Sequence, residues 1–114
     1  MRLATREDFD RVFKNCSSRS TDALFTVLAL PNDHTYPRLG LAVSKKAAGN
    51  AVRRHRLKRR VRESFRLNQH ALPGTDIVVI ARPGVSRHDG QKVASSLAAH
   101  WNRISEKCAP SASS

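Results

Sequence analysis

Between residues 45 and 66 the chain places seven arginines (Arg53, Arg54, Arg56, Arg59, Arg60, Arg62, Arg66) and three lysines (Lys45, Lys46, Lys58) against one acid, Glu63. Such a density of fixed positive charge suits phosphate. Guanidinium grips two oxygens at once and ammonium acts as a point charge. The stretch carries +9 of a whole-chain net charge of +12, in about one-fifth of the sequence. A merely solvated helix interleaves the two signs, and a disordered basic tail has no apolar order. Here Leu57, Val61 and Phe65 recur at i, i+4 and i+8, along one side of a helix. His55 and the bases Arg56, Lys58, Arg59, Arg60, Arg62 and Arg66 sweep the remaining circumference. The pattern predicts a helix seated by a narrow apolar seam, with its free surface turned to a polyanion.

Other residues capable of chemistry are sparse. Glu7, Asp8 and Asp10 fall where acids complement the N-terminal dipole of a helix, which accounts for them better than a metal does. Cys16 and Cys108 are too few for a disulfide framework or a zinc knuckle and are expected as free thiols. His34, His70, His88 and His100 lack metal-ligand spacing. Ser44 or Ser64 beside His55 has no carboxylate to orient the imidazole. A protein nuclease that activates water with metals needs clustered carboxylates, and this chain has nine acids in all. No catalytic residue and no metal ligand is assigned.

These residues must be positioned by a small scaffold. At 114 residues and 39% hydrophobic content the chain suits one domain, expected over residues 1–108, with a disordered tail at 109–114. A sequence pI of about 11.3 points to a nucleic acid. No apolar run approaches the roughly 20 residues of a membrane span. The opening Met1-Arg2-Leu3-Ala4 lacks the apolar core of a secretory signal, so a cytoplasmic location is expected. Thr5 followed by acids starts a helix that carries Phe9, Val12 and Phe13 on one face. Residues 15–22 read as a polar loop and 23–30 as an apolar strand ended by Pro31-Asn32-Asp33. Along 38–44, Leu39, Leu41 and Val43 alternate with the small Gly40, Ala42 and Ser44. Asn50 caps the basic helix, Leu72-Pro73-Gly74 stops it, and Ile77-Val78-Val79-Ile80 forms a central strand. A last helix from Asp89 brings Val93, Leu97, Trp101 and Ile104 to one side. The order gives an α+β sandwich of about four strands and three helices, with a further short strand expected between those at 23–30 and 38–44 and the helices expected on one side of the sheet. Pattern alone leaves strand order and crossover hand open. It also leaves Phe9 and Phe13, near Arg6, Arg11 and Lys14, open between core packing and stacking on a single strand.

The run Ser44-Lys45-Lys46, then Asn50-Ala51-Val52-Arg53-Arg54-His55-Arg56-Leu57-Lys58-Arg59-Arg60-Val61-Arg62, resembles the signature of the bacterial ribonuclease P protein component. The likeness extends to Phe9 and Phe13, to Arg38-Leu39-Gly40-Leu41 and to the strand at 77–81. The resemblance implies a two-layer α-β sandwich with a mixed sheet and a left-handed β-α-β crossover carrying the basic helix. It also implies the protein partner of a catalytic RNA that removes the 5′ leader of precursor tRNA. The bond-breaking groups would lie in the RNA, which would also hold Mg2+. By position, Arg53, Arg54, His55, Arg56, Lys58, Arg59 and Arg62 would contact RNA, and Lys45 and Lys46 would extend that surface. Phe9, Phe13 and Arg38 would line a cleft for the leader. His55 stands where the family pattern has Asn. A neutral imidazole also offers a donor and an acceptor, but it can gain a proton near neutral pH. Competing readings are a ribosome-associated RNA binder, a major-groove DNA reader and a membrane-surface helix. The DNA reader is disfavoured by the near absence of Asn and Gln from the helix, and the surface helix by its thin seam.

Overall fold

The computed structural model describes residues 6–32, 34–44, 49–72, 74–85 and 89–108. Along the chain run α1 (Arg6–Asn15), β1 (Ser18–Thr21), β2 (Phe25–Pro31), β3 (Arg38–Ala42), α2 (Ala51–Asn68), β4 (Thr75–Ala81) and α3 (Gly90–Cys108). A short 3-10 turn, Gln69–Ala71, closes α2. The expected cap Thr5 and the tail at 109–114 lie outside the described residues.

The four strands form one mixed sheet in the order β1-β2-β4-β3. β1 and β4 pair antiparallel with β2, while β3 runs parallel to β4, reached through α2. The two central strands are apolar almost throughout because both of their faces are covered. Phe25, Val27, Ala29, Ile77, Val79 and Ala81 face the layer made by α2 and α3. Leu28 and Val78 face Val12 of α1 on the other side. The sandwich expected from sequence is therefore present, but the helices do not all share one side. Alternation had marked Leu28 and Val78 only as members of apolar runs, with nothing to say which helix each one meets.

The additional strand, β1, lies not between the strands at 23–30 and 38–44 but at 18–21, where the sequence predicts a loop. Its sequence, Ser-Arg-Ser-Thr, has no apolar alternation, yet its burial alternates, with Ser18 and Ser20 turned inward. The inward hydroxyl of Ser20 is satisfied by α3. Its Oγ lies 2.7 Å from His100 Nδ1 and accepts a bond of 3.3 Å from Arg103 Nη1. A hydroxyl can accept twice and donate once, so the direction of the Ser20–His100 bond follows the imidazole tautomer. Nε2 is 3.1 Å from Asp22 Oδ2, off the direction of a straight hydrogen bond. Ser20, His100 and Asp22 match a hydrolytic triad in composition, but Ser20 is 4% and His100 0% exposed, so no substrate reaches the hydroxyl. The cluster fastens α3 to the sheet edge.

Asp22 organises the turn that follows. It accepts from the backbone N–H groups of Leu24 and Phe25 at 2.8 and 2.9 Å, and from Ser96 Oγ at 2.5 Å. Partial burial pushes its carboxyl up, but these hydrogen bonds outweigh that and bring its pKa from 3.8 down to about 2. A depressed carboxylate pKa contributes stability that is complete above the unfolded value and is lost as pH falls through the folded one. The stability difference between the parent chain and Asp22→Asn, measured by urea unfolding, is therefore expected to be constant above about pH 5. It should then close between pH 3.8 and about 2. A difference that persists at the acid end would contradict this account.

Candidate nucleic-acid interface

α2 begins where the sequence predicts. Gly49 takes φ +90°, a left-handed value that suits a residue without Cβ, and Asn50 Oδ1 then accepts the Arg53 N–H at 2.9 Å. Leu57, Val61 and Phe65 are the helix's buried residues. Burying each contributes about 2 kcal/mol. This seam has to hold a helix whose bases repel one another. Arg54, Lys58 and Arg62 stand at four-residue steps in a half-buried row beside it, and like charges at that spacing each cost a few tenths of a kcal/mol. α3 supplies the support. Trp101 meets Phe65 edge-on with ring centroids 5.9 Å apart, and its indole Nε1 donates to Ser64 Oγ at 2.8 Å.

The outward face of α2 is a cationic ridge. Arg53, His55, Arg56, Arg59, Arg60 and Arg66 are exposed. Two depressions run along the ridge, one lined by Val52, His55, Arg56 and Arg59 and the next by His55, Arg59, Arg62, Glu63 and Arg66. His55 and Arg59 border both and so occupy the middle of the surface. Glu63, the one acid, is taken by Arg66, with Oε1 2.5 Å from Nη2. That hydrogen bond holds its carboxyl below the ordinary range and the Arg66 guanidinium above it. The structure thus brings together Arg53, Arg54, His55, Arg56, Lys58, Arg59 and Arg62 on one helix, with Arg54, Lys58 and Arg62 nearer the protein. Lys45 and Lys46 lie outside the described residues.

On the opposite side of the sheet the two phenylalanines part company. Phe9 is half-buried against the cluster of Val12, Leu28 and Val78, whereas Phe13 stays 45% exposed. Phe9 therefore takes the packing alternative, while the Phe13 ring is left accessible.

Arg38 is engaged by an acid that sequence reading missed. Asp76, on β4, is completely buried. Its Oδ1 accepts from Arg38 Nε at 2.8 Å and from Asn32 Nδ2 at 2.9 Å, and its Oδ2 accepts from Arg38 Nη2 at 2.7 Å and also from Arg11 Nη2. Asp8 of α1 approaches Arg38 Nη2 at 3.8 Å. Burial would raise the Asp76 pKa, but the bonds from Arg38 and Asn32 and the charge of Arg11 prevail and hold it low. The same pairing raises the Arg38 pKa. A charged residue opening an apolar strand was the available signal, and its partners are 38, 44 and 65 positions away in sequence. Among the described residues no group of three or more His, Cys, Asp or Glu is placed to hold a metal ion. Nor is any described helix long and apolar enough to cross a membrane.

Comparison with known proteins gives one answer. The sequence model of the family described as Ribonuclease P matches residues 1–105. A ribonuclease P protein component from Idiomarina loihiensis is 42% identical over 108 residues, covering 95% of this chain and 86% of the relative. One from Nitrosococcus oceani is 40% identical over 111 residues, covering 97% and 92%. The RNase P protein of Staphylococcus aureus superposes with a TM-score of 0.83 at 33% identity, over 92% of this chain and 94% of that one. The Thermotoga maritima RNase P protein does so with a TM-score of 0.80 at 41% identity, over 91% and 97%.

The Asp76 cluster yields a stability test independent of any partner. Asp76→Asn leaves two arginines facing a neutral amide, and the expected cost is about 3 kcal/mol in urea unfolding. A loss under about 1 kcal/mol, the size of a surface ion pair, would show that the carboxylate is not holding the sheet and α1 together.

Proposed function

This chain belongs to the ribonuclease P protein family, and on that premise we propose that the outer face of α2 docks the ribonuclease P RNA while the α1 side of the sheet receives the leader of precursor tRNA. The protein component is a subunit of a ribonucleoprotein endoribonuclease in tRNA processing and works with the ribonuclease P RNA. The observation that carries the residue-level reading is the cationic ridge with His55 and Arg59 at its centre, its one acid paired with Arg66.

In this reading Arg53, Arg54, Arg56, Lys58, Arg59 and Arg62 neutralise phosphates of the catalytic RNA, with Lys45 and Lys46 continuing the surface. Each neutralised phosphate releases condensed counterions, which makes affinity steeply salt-dependent. His55 contributes ring N–H and lone pair where an amide would offer the same pair of functions. Phe13 offers its exposed ring to a leader base, a contact that tolerates any sequence because every base has a π-face. Phe9 shapes the floor beneath. Arg38 acts as a positioning residue, its guanidinium engaged by Asp76, and lines the cleft without being its anion clamp.

Hydrolysis of a phosphodiester by metal-activated water needs oxygen or nitrogen ligands gathered around the ion. Asp76 is taken by arginines, Asp22 by a turn and Ser96, and Glu63 by Arg66, and among the described residues no three His, Cys, Asp or Glu gather where they could hold a cation. The described residues therefore do not fit a magnesium site, and the proposal leaves Mg2+ and the cleavage chemistry with the RNA. The protein's part is to bring two polyanions together, in the cytoplasm where tRNA precursors are made.

Two measurements test this. Arg56→Ala with Arg59→Ala is expected to weaken binding to ribonuclease P RNA and flatten its salt dependence. For a contact with about six phosphates the parent's log K should fall against log salt with a slope of about −4 to −5. A parent slope near zero would exclude α2 as the docking surface. Phe13→Ala should weaken precursor tRNA binding by the holoenzyme about tenfold and leave mature tRNA unaffected. Equal losses for both would remove Phe13 from the leader contact.

A further inference from the structure

α2 and α3 run side by side in the same direction. Arg60 lies by Gly90 near the start of α3, and Ser105 Oγ donates to the Ala71 carbonyl at 2.9 Å near its end. Between them runs an open groove, apart from the leader cleft, whose rim shares Arg59 and Arg60 with the outward ridge. Its α3 wall is made of small residues, with Gly90, Ala94 and Ala98 at four-residue steps, and the buried Leu97 forms the floor. A Cβ at position 90 would collide with the Arg60 guanidinium, so glycine lets that side chain lie across the groove's end. On the α2 wall Leu67 is 57% exposed, an unusual place for a leucine on so polar a helix.

The rim decides what fits. Arg59 and Arg60 line the groove and take part in no ion pair among the described residues, whereas Glu63, the rim's acid, is paired with Arg66 at 2.5 Å. The opening is therefore cationic over an apolar floor. A protein partner would need an interface of some 20–30 residues a side, and this groove has one large exposed apolar side chain. A nucleobase with its attached phosphate has the required combination, a flat apolar body and an adjacent anion.

We infer that the α2–α3 groove is a second RNA contact that takes one unstacked nucleobase of the ribonuclease P RNA, with the neighbouring phosphate on Arg59 and Arg60. The inference rests on the reading of α2 as the RNA-docking helix and extends its footprint onto α3.

Two substitutions that leave every charge in place test it. Leu67→Ser removes the apolar wall, and Ala98→Phe fills the groove. Both positions are exposed, so the thermal midpoint of each variant, the check on folding, should match the parent. Each variant is expected to bind ribonuclease P RNA about tenfold more weakly at fixed salt, the loss of roughly one stacked base. The slope of log K against log salt should stay that of the parent, because no phosphate contact is removed. Unchanged RNA affinity in either variant overturns the inference while leaving the ridge reading intact. A parent that sediments as a dimer, with variants that are monomeric and bind RNA normally, would give the groove to a second copy of the chain. A parent slope near zero would take down the α2 reading itself, and this inference with it.

Discussion

The Asp76 carboxylate has no exposed surface, and the half of the molecule that carries α1 is arranged around keeping it satisfied. A bare ion at that depth would cost several kcal/mol, which only close, well-directed partners offset. The fold brings those partners from α1, from the segment after β2 and from the first residue of β3. Each partner fixes the element it comes from. Arg11 holds α1 against the sheet, and α1 in turn presents Phe13 to solvent. Arg38 fixes the start of β3 beside β4, the parallel pair from which α2 departs. The carboxylate thus sets geometry on both faces of the sheet at once.

The other face answers a different difficulty. α2 gathers charge that works against its own formation, and a three-residue seam is a narrow foundation for eighteen residues of helix. The support comes from α3, which packs Trp101 on Phe65 and closes the indole N–H onto Ser64. α3 is itself pinned at the far side by His100 and Ser96 to Ser20 and Asp22. The cationic surface therefore depends on a chain of contacts that ends at an edge strand on the other side of the sheet.

Much of this was legible beforehand because it is local. The seam Leu57, Val61 and Phe65, the Asn50 cap, the apolar strand around Ile77 and the side of α3 carrying Trp101 are all read from spacing within a few turns. β1 was not legible. Its inward residues are serines, and serine joins a core only when a distant partner, here His100, accepts or supplies a hydrogen bond. Asp76 was hidden for the same reason, since a carboxylate in an apolar strand makes sense only after Arg11, Asn32 and Arg38 have been folded around it. Arg38 enters the cleft only through the family resemblance, and its tie to Asp76 is visible only in three dimensions. Phe9 and Phe13 share a helical face in projection, but the cluster of Val12, Leu28 and Val78 takes in one ring and leaves the other exposed.

The four-residue length of β1 has an outcome for how the protein meets its neighbours. A sheet ends in a row of unsatisfied amides and carbonyls that invites another chain to zip on, and long, flat, greasy borders are where aggregation starts. Here that border is brief and hydrophilic, with Arg19 and Thr21 alternating with the two inward serines. A polypeptide seeking to lengthen the sheet from this side would find room for scarcely two pairs of rungs. A molecule made so adhesive to polyanions by its charge is thereby kept from adhering to itself through its backbone on this flank.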